Sequence, residues 1–391
     1  MNVRRDRNPV YGYLGSFVVL GFSLSTLGPA LSVLRHHTDS SVGQISALFV
    51  AQGVGYLVGS IVSGRMYDAR GGNRLLAAGC AVSAVASLCL PVVSSLVVLC
   101  LVCAVLGAMG GVIDVGGNTL VVWQLGSESG GWLAALHCCF GIGALCTPLA
   151  VAWSVDSGND LWISSGLAAT VALAVVGSLL ITPTPTHAPD DDGRHEPVAD
   201  RVVLAVISVF FVIYVGMELG FAGWVTSWAD DVRLPGAGGA ALTAGFWGAF
   251  TGGRLAGIVV ARRFRPGVIL VASSCLSVTA AWVLVASGGS SALATWIATL
   301  LFGLGLAPQF PTMISFAESR MRLTGSATSW FIGAAAAGAL VLPWVIGQLF
   351  DRFGSRAMPA VVAGSATACL IWVMIVRGVA ARRRSRVAVT G

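Results

Sequence analysis

The chain has no lysine. All 23 of its basic residues are arginine, so every positive charge is permanent at physiological pH. Charge of either sign is scarce: Asp, Glu and Arg together make up 10% of 391 residues, against about a quarter in soluble domains. So little charge cannot cover a globular surface, which excludes a disordered chain and an ordinary soluble enzyme. Also missing are a Gly-rich nucleotide loop, a nucleophile–base pair, a metal-ligand cluster and a basic nucleic-acid tract, so no cofactor, metal or nucleic-acid partner is expected. Nine cysteines are present, but all lie in apolar runs. Cys100-x-x-Cys103 has Leu and Val for neighbours and no second Cys or His pair, so its thiols read as small packing groups rather than half a metal site.

What remains is apolar. The composition is 56% hydrophobic with 50 glycines, and the mean hydropathy is +0.84. About 20 apolar residues cross a hydrocarbon core as a helix. Twelve such stretches are expected, near 12–34, 43–66, 75–93, 96–122, 132–154, 161–181, 202–229, 238–261, 268–286, 292–316, 326–349 and 357–376. The fold class is therefore all-α and polytopic, in a lipid bilayer. The first stretch is too long for a signal-peptide core and lacks an Ala-x-Ala site, so it is expected to be retained. With the N-terminus inside, 19 arginines fall in the N-terminal tail, the exits of even-numbered spans and the C-terminal tail, whereas Arg35, Arg233, Arg352 and Arg356 fall opposite. That bias predicts a multi-pass cell-membrane protein with both termini cytoplasmic.

The two halves of the chain match at an offset of 194–195 residues. Gly21 falls on Gly216, Gly28 on Gly223, Gly59 on Gly253, Gly110 on Gly305, Pro148 on Pro343 and Asp156 on Asp351. Between the halves runs TPTPTHAPDDDGRHEPVADR, a Pro- and Asp-rich stretch without helical periodicity. The expected organisation is a six-helix half over 1–181, a cytoplasmic linker over 182–201, and a second six-helix half with a basic tail over 202–391. Parallel repeats of this kind suit a transporter in which the halves rock about a central site.

The loop after the second span reads Gly64-Arg-Met-Tyr-Asp68-Ala-Arg70-Gly71-Gly-Asn-Arg74. It resembles the signature loop of the major facilitator superfamily, departing from it where Ala69 follows the Asp. The resemblance implies a conformational latch of Gly64, Asp68, Arg70, Gly71 and Arg74, with Arg254 its basic second-half counterpart. The alternative is that these charges only enforce topology. Four further segments, Gly110–Asn118, Leu136–Ala144, Tyr214–Trp224 and Gly305–Thr312, are similar to the fucose-permease and sodium-dependent glucose-transporter branch. That similarity implies a sugar-like cargo, cation coupling and a monomer.

Two carboxylates lie in mid-span, where a charge costs on the order of 3 kcal/mol on insertion scales. Asp114 shares one helix face with Gly107, Gly111 and Asn118. The pair Asp114 and Asn118 could hold a proton, supply oxygens to Na⁺, or glue its helix to a neighbour. Glu218, flanked by Gly216, Gly220 and Gly223, is the second cation-coupling candidate, with glycines expected to open room for a ligand; the alternatives are contact with sugar hydroxyls or a structural hydrogen bond to a neighbouring helix. Gln309, between Pro308 and Pro311 at the repeat position of Asp114, marks an expected break in the tenth span and an expected cavity-facing group. Trp224, Trp247 and Trp330 are expected to pack against a sugar, Trp247 and Trp330 being the deepest set, while lipid anchoring or packing is the alternative for each. His137 is a further binding candidate or a structural histidine, and His36 and His37 carry no expectation. The leading function is a secondary transporter importing a hexose-like sugar with H⁺ or Na⁺. The alternative is a proton-driven exporter of drugs or metabolites, although the fifth-span segment Gly141-Ile-Gly143-Ala fits poorly to the Gly-Pro-Gly-Gly type motif of such exporters.

Overall fold

The computed structural model describes residues 8–70, 72–185, 201–234, 238–319 and 325–390. Among the described residues there are fifteen α-helices and no strands: α1 (Asn8–Ser25), α2 (Leu27–His37), α3 (Val42–Ile45), α4 (Ala47–Arg70), α5 (Asn73–Cys89), α6 (Leu96–Leu125), α7 (Ser129–Asp156), α8 (Trp162–Ile181), α9 (Arg201–Asp231), α10 (Gly239–Ala261), α11 (Pro266–Ser287), α12 (Ala292–Leu306), α13 (Gln309–Glu318), α14 (Gly325–Phe353) and α15 (Ala357–Thr390). Helix occupies each of the twelve expected span positions. Among the described residues nine helical stretches are long and apolar enough to cross a membrane, and the α1–α2 pair makes a tenth. The other two positions are held by α5, of 17 residues, and by α10.

Two spans depart from straight helices. The first bends by 46° between α1 and α2. Pro29 has no N–H to give to Ser25, and the Thr26 hydroxyl turns back onto the Phe22 carbonyl at 2.6 Å. The tenth breaks at Ala307–Pro308 between α12 and α13, as its prolines predict.

Outer faces are apolar. On α6, Val97 is 71% exposed, with Leu101 and Val105 beside it at helical spacing, while Leu99 and Cys103 point inward. A soluble monomer does not display faces of this kind, and lipid accepts them. The protein is a multi-pass membrane protein.

The chain forms two compact units. One holds α1–α8 with the start of α10 through Trp247, and the other holds α9, the rest of α10 and α11–α15. The first unit closes on glycine. Gly55 and Gly59 of α4 face α6, and Gly107 and Gly111 of α6 face α4. A Cβ at Gly55 or Gly59 would overlap the Ala104 or Ala108 carbonyl, and one at Gly107 or Gly111 would overlap the Gln52 or Tyr56 carbonyl. These reciprocal Gly-x-x-x-Gly pairs bring two backbones into contact. In the second unit, a Cβ at Gly338 of α14 would overlap the Val212 carbonyl of α9.

Polar ties secure the corners of the first unit. Buried Asn73 accepts from the Tyr13 hydroxyl at 2.8 Å and donates to the Thr182 carbonyl at 3.1 Å and the Pro183 carbonyl at 3.2 Å. The first residues of the polar linker are thereby held against the start of α5. His37, which carried no expectation, pairs with Asp160 at 2.6 Å and ties the end of α2 to the turn before α8.

Candidate functional site

Asp114 is half-buried on α6, just past the glycine seam. The stripe of Gly107, Gly111, Asp114 and Asn118 does turn inward, and what it meets is α4. The Tyr56 hydroxyl on α4 donates to Asp114 Oδ2. From one turn further along α6, the Asn118 amide donates to Asp114 Oδ1 at 3.0 Å and to the Asp114 carbonyl at 2.9 Å. Both carboxylate oxygens are thus met by neutral donors. Among the described residues no arginine or histidine pairs with this carboxylate. The arrangement includes the interhelical tie, and it leaves the charge of Asp114 without a counter-ion.

Tyr56 escaped the sequence expectations. One signal for it existed: a tyrosine inside a glycine-lined span must find a partner for its hydroxyl. The identity of that partner, 58 residues away on another helix, is tertiary information.

In the second unit, Glu218 is 8% exposed on α9. The glycines beside it do not open room for a ligand. A Cβ at Gly216 would lie 3.0 Å from the Gly338 carbonyl, and one at Gly220 would lie 2.8 Å from Ile346 Cδ1, so both admit α14 instead. Arg254 of α10 and Tyr214 of α9 are the charged and polar groups that act on Glu218. The Tyr214 hydroxyl also donates 3.1 Å to the Leu306 carbonyl, which lies just before the break in the tenth span. Tyr214 lies four residues before Glu218, so this adjacency was readable from helical spacing.

Arg254 does not behave as a loop residue. The run Leu255–Ala261 carries α10 on past it, leaving the guanidinium within the span. There it lies 4.5 Å over the Phe250 ring centroid. Of the other expected latch residues, the side chains of Asp68 and Arg70, and Gly71 altogether, lie outside the described residues. Gly64 has open space at its Cβ position and Arg74 is exposed.

Gln309 corrects the expectation that it faces a cavity. It is fully buried, and its amide donates 3.0 Å to Ser277 Oγ of α11 and 3.0 Å to the Gly305 carbonyl, with the Cys369 thiol 3.7 Å from Oε1. Prolines at 308 and 311 withhold two N–H groups at the break, and the Gln309 carboxamide beside it donates to the Gly305 carbonyl near the end of α12.

The tryptophans divide. Trp224 gives its N–H to the Pro343 carbonyl at 2.8 Å and packs on Phe350, so it seals α9 to α14 and is not free for cargo. Trp247 is 1% exposed and meets Phe140 and Phe246 edge-on, all three within the first unit. Trp330, expected to be deep, is 63% exposed near the start of α14. His137 is exposed and edge-on to the buried Phe17 ring.

The model of the Major Facilitator Superfamily matches residues 13–343. The chain belongs to that superfamily. It is a transporter of small solutes and not an enzyme. It is 28% identical over 377 residues to mouse sodium-dependent glucose transporter 1A, covering 86% of this chain and 88% of that relative. Among solved structures it is similar to the nucleoside transporter NupG, with a TM-score of 0.74 at 14% identity, covering 94% of this chain and 99% of that one. It is also similar to a D-xylose-proton symporter, with a TM-score of 0.72 at 10% identity, covering 93% and 96%. At those identities the two structures speak for the fold alone.

Proposed function

We propose that this member of the superfamily is a secondary active transporter that moves a sugar-like solute by alternating access, coupled to H⁺ or Na⁺, with both termini in the cytoplasm. The observation that carries the proposal is Asp114: a span carboxylate held by the neutral donors Tyr56 and Asn118, with no basic partner among the described residues. A membrane-embedded anion in that state invites a mobile cation. Tyr56 and Asn118 orient the two oxygens, and a proton or Na⁺ arriving at Asp114 neutralises them. The sodium-dependent glucose transporter relative supports a reading of cation-driven sugar movement. Glu218, facing a fixed arginine charge, is the second coupling group.

Uptake into proteoliposomes tests the proposal. Labelled sugar should accumulate under an inward H⁺ or Na⁺ gradient, and Asp114→Asn should lower that accumulation at least about tenfold. Full accumulation in the variant removes Asp114 from coupling. Expulsion of a lipophilic cation under a pH gradient, with no sugar movement, replaces the sugar reading with the exporter.

A further inference from the structure

The second unit holds a cation whose hydrogen-bonding capacity is not used up. Arg254 Nε is enclosed by protein and meets no hydrogen-bond acceptor. Its guanidinium is held over Phe250, 4.5 Å from the ring centroid. Glu218 lies in its field, yet among the described residues no ion pair within 4 Å joins the two. The groups around Glu218 can be named helix by helix. Tyr214 is on α9 itself, with its hydroxyl on the Leu306 carbonyl. Arg254 comes from α10, and the Cys369 thiol of α15 acts on Tyr214. The stretch of α14 beside Gly216 and Gly220 presents Gly338, Leu342 and Ile346. One cation and one carboxylate therefore share this part of the unit without closing on each other.

We propose that Arg254 binds a carboxylate of the cargo, and that the cargo is an acidic sugar, a uronate, rather than a neutral hexose. The inference rests on the sugar-transport reading above and narrows it. A planar guanidinium already oriented on an aromatic face is suited to receive a carboxylate through paired N–H bonds. Charge accounting selects a monoanion. With Glu218 ionised and the site empty, Arg254 and Glu218 sum to zero. Two carboxylates beside one guanidinium leave an uncompensated negative charge in the span. Uronate therefore enters together with a proton on Glu218, and the sum is again zero. A dianionic sugar phosphate leaves a net negative charge by the same count. Uronate and the proton on Glu218 then cross as a neutral pair, so the charge moved is that of the cation at Asp114 alone.

The experiment compares labelled glucuronate and labelled glucose in liposomes containing the full chain, with membrane potential clamped at several values. The expected result is a half-saturation concentration for glucuronate about tenfold below that for glucose, with glucuronate uptake driven by an inward proton gradient and showing the same dependence on membrane potential as glucose uptake. Arg254→Gln should bring the ratio of the two sugars close to one, and Arg254→Lys should retain part of the preference. Melting temperatures of both variants separate loss of folding from loss of preference. Glucose transport with no preference for glucuronate in the unmodified protein overturns the inference and leaves the sugar-transporter reading standing. A dependence on potential that differs between the two sugars, or a preference intact in Arg254→Gln, overturns it as well. Failure to move either sugar overturns the sugar reading itself, and the inference with it.

Discussion

The two halves carry opposite unbalanced charges, each beside an aromatic residue that the internal repeat relates. Adding 194 to Tyr56 and Ser60 gives Phe250 and Arg254, and adding 195 to Gly111 and Asp114 gives Leu306 and Gln309. In the first half the aromatic residue has a hydroxyl and donates it to a carboxylate. In the second the aromatic residue has none and supports a guanidinium on its ring face. The acid of the first half becomes a buried amide serving a helix break in the second. The repeat thus preserves a scaffold while the chemistry placed on it changes sign. An anion without a basic partner suits a coupling cation, and a cation without a bonded acceptor suits an acidic cargo. On the proposals above, the halves divide the labour of symport between them.

The largest expected effect comes from forcing one half to resemble the other at the seam. Gly111→Leu places in α6 the residue that stands at the repeat position 306. A Cβ there already overlaps the Tyr56 carbonyl, and backbone cannot yield as a side-chain tip can. The cost is about 3 kcal/mol or more, read as a large fall in melting temperature in detergent or loss of folded protein. A variant that melts like the unmodified chain shows that the α4–α6 approach is looser than described and that the halves differ less than claimed.

Much of this scaffold was legible in the sequence, and the reasons are local. Spans follow from apolar length, the inward stripe of Asp114 from a period of 3.6, and the break beside Gln309 from two prolines that withhold N–H groups. The bend at Thr26 is equally local, since Pro29 withholds an N–H there, but one long apolar run spans it and hydropathy alone does not mark it. What stayed hidden was pairing across helices. Nothing near Asp114 names Tyr56, and nothing near Trp224 names the Pro343 carbonyl that takes its N–H. Gln309 was expected at a cavity because it matches Asp114 in the repeat, yet repeat position does not fix which neighbour an amide meets. Arg254, grouped with the latch by its resemblance to the signature motif, lies inside the expected span 238–261, with seven further helical residues after it.

Tyr56→Phe gives the first half the aromatic residue of the second. It removes the donor to Asp114 Oδ2 and leaves a buried acceptor unmet, at a cost of about 1–3 kcal/mol. The melting temperature should fall by less than for Gly111→Leu. The carboxylate also loses a donor that competes with the incoming cation, so uptake should saturate at a several-fold lower concentration of the coupling cation. A cation dependence identical to that of the unmodified chain means that Asp114 and Tyr56 form a structural tie only. The proposed asymmetry between the halves would then lose its first member.

The smallest effect tests the second member. Phe250→Leu keeps an apolar side chain beside Arg254 and removes the ring face, worth about 0.5–1 kcal/mol for a partly exposed pair. On the acidic-cargo proposal the preference for glucuronate over glucose should fall about two- to fivefold. Phe250→Tyr sharpens the result, because it restores the hydroxyl of the first half while retaining the ring. If the ring orients the guanidinium, the tyrosine variant keeps most of the preference that the leucine variant loses. If both variants lose it equally, the space around residue 250 governs Arg254, and the aromatic residue shared by the two halves is a packing element in one of them and a chemical partner only in the other.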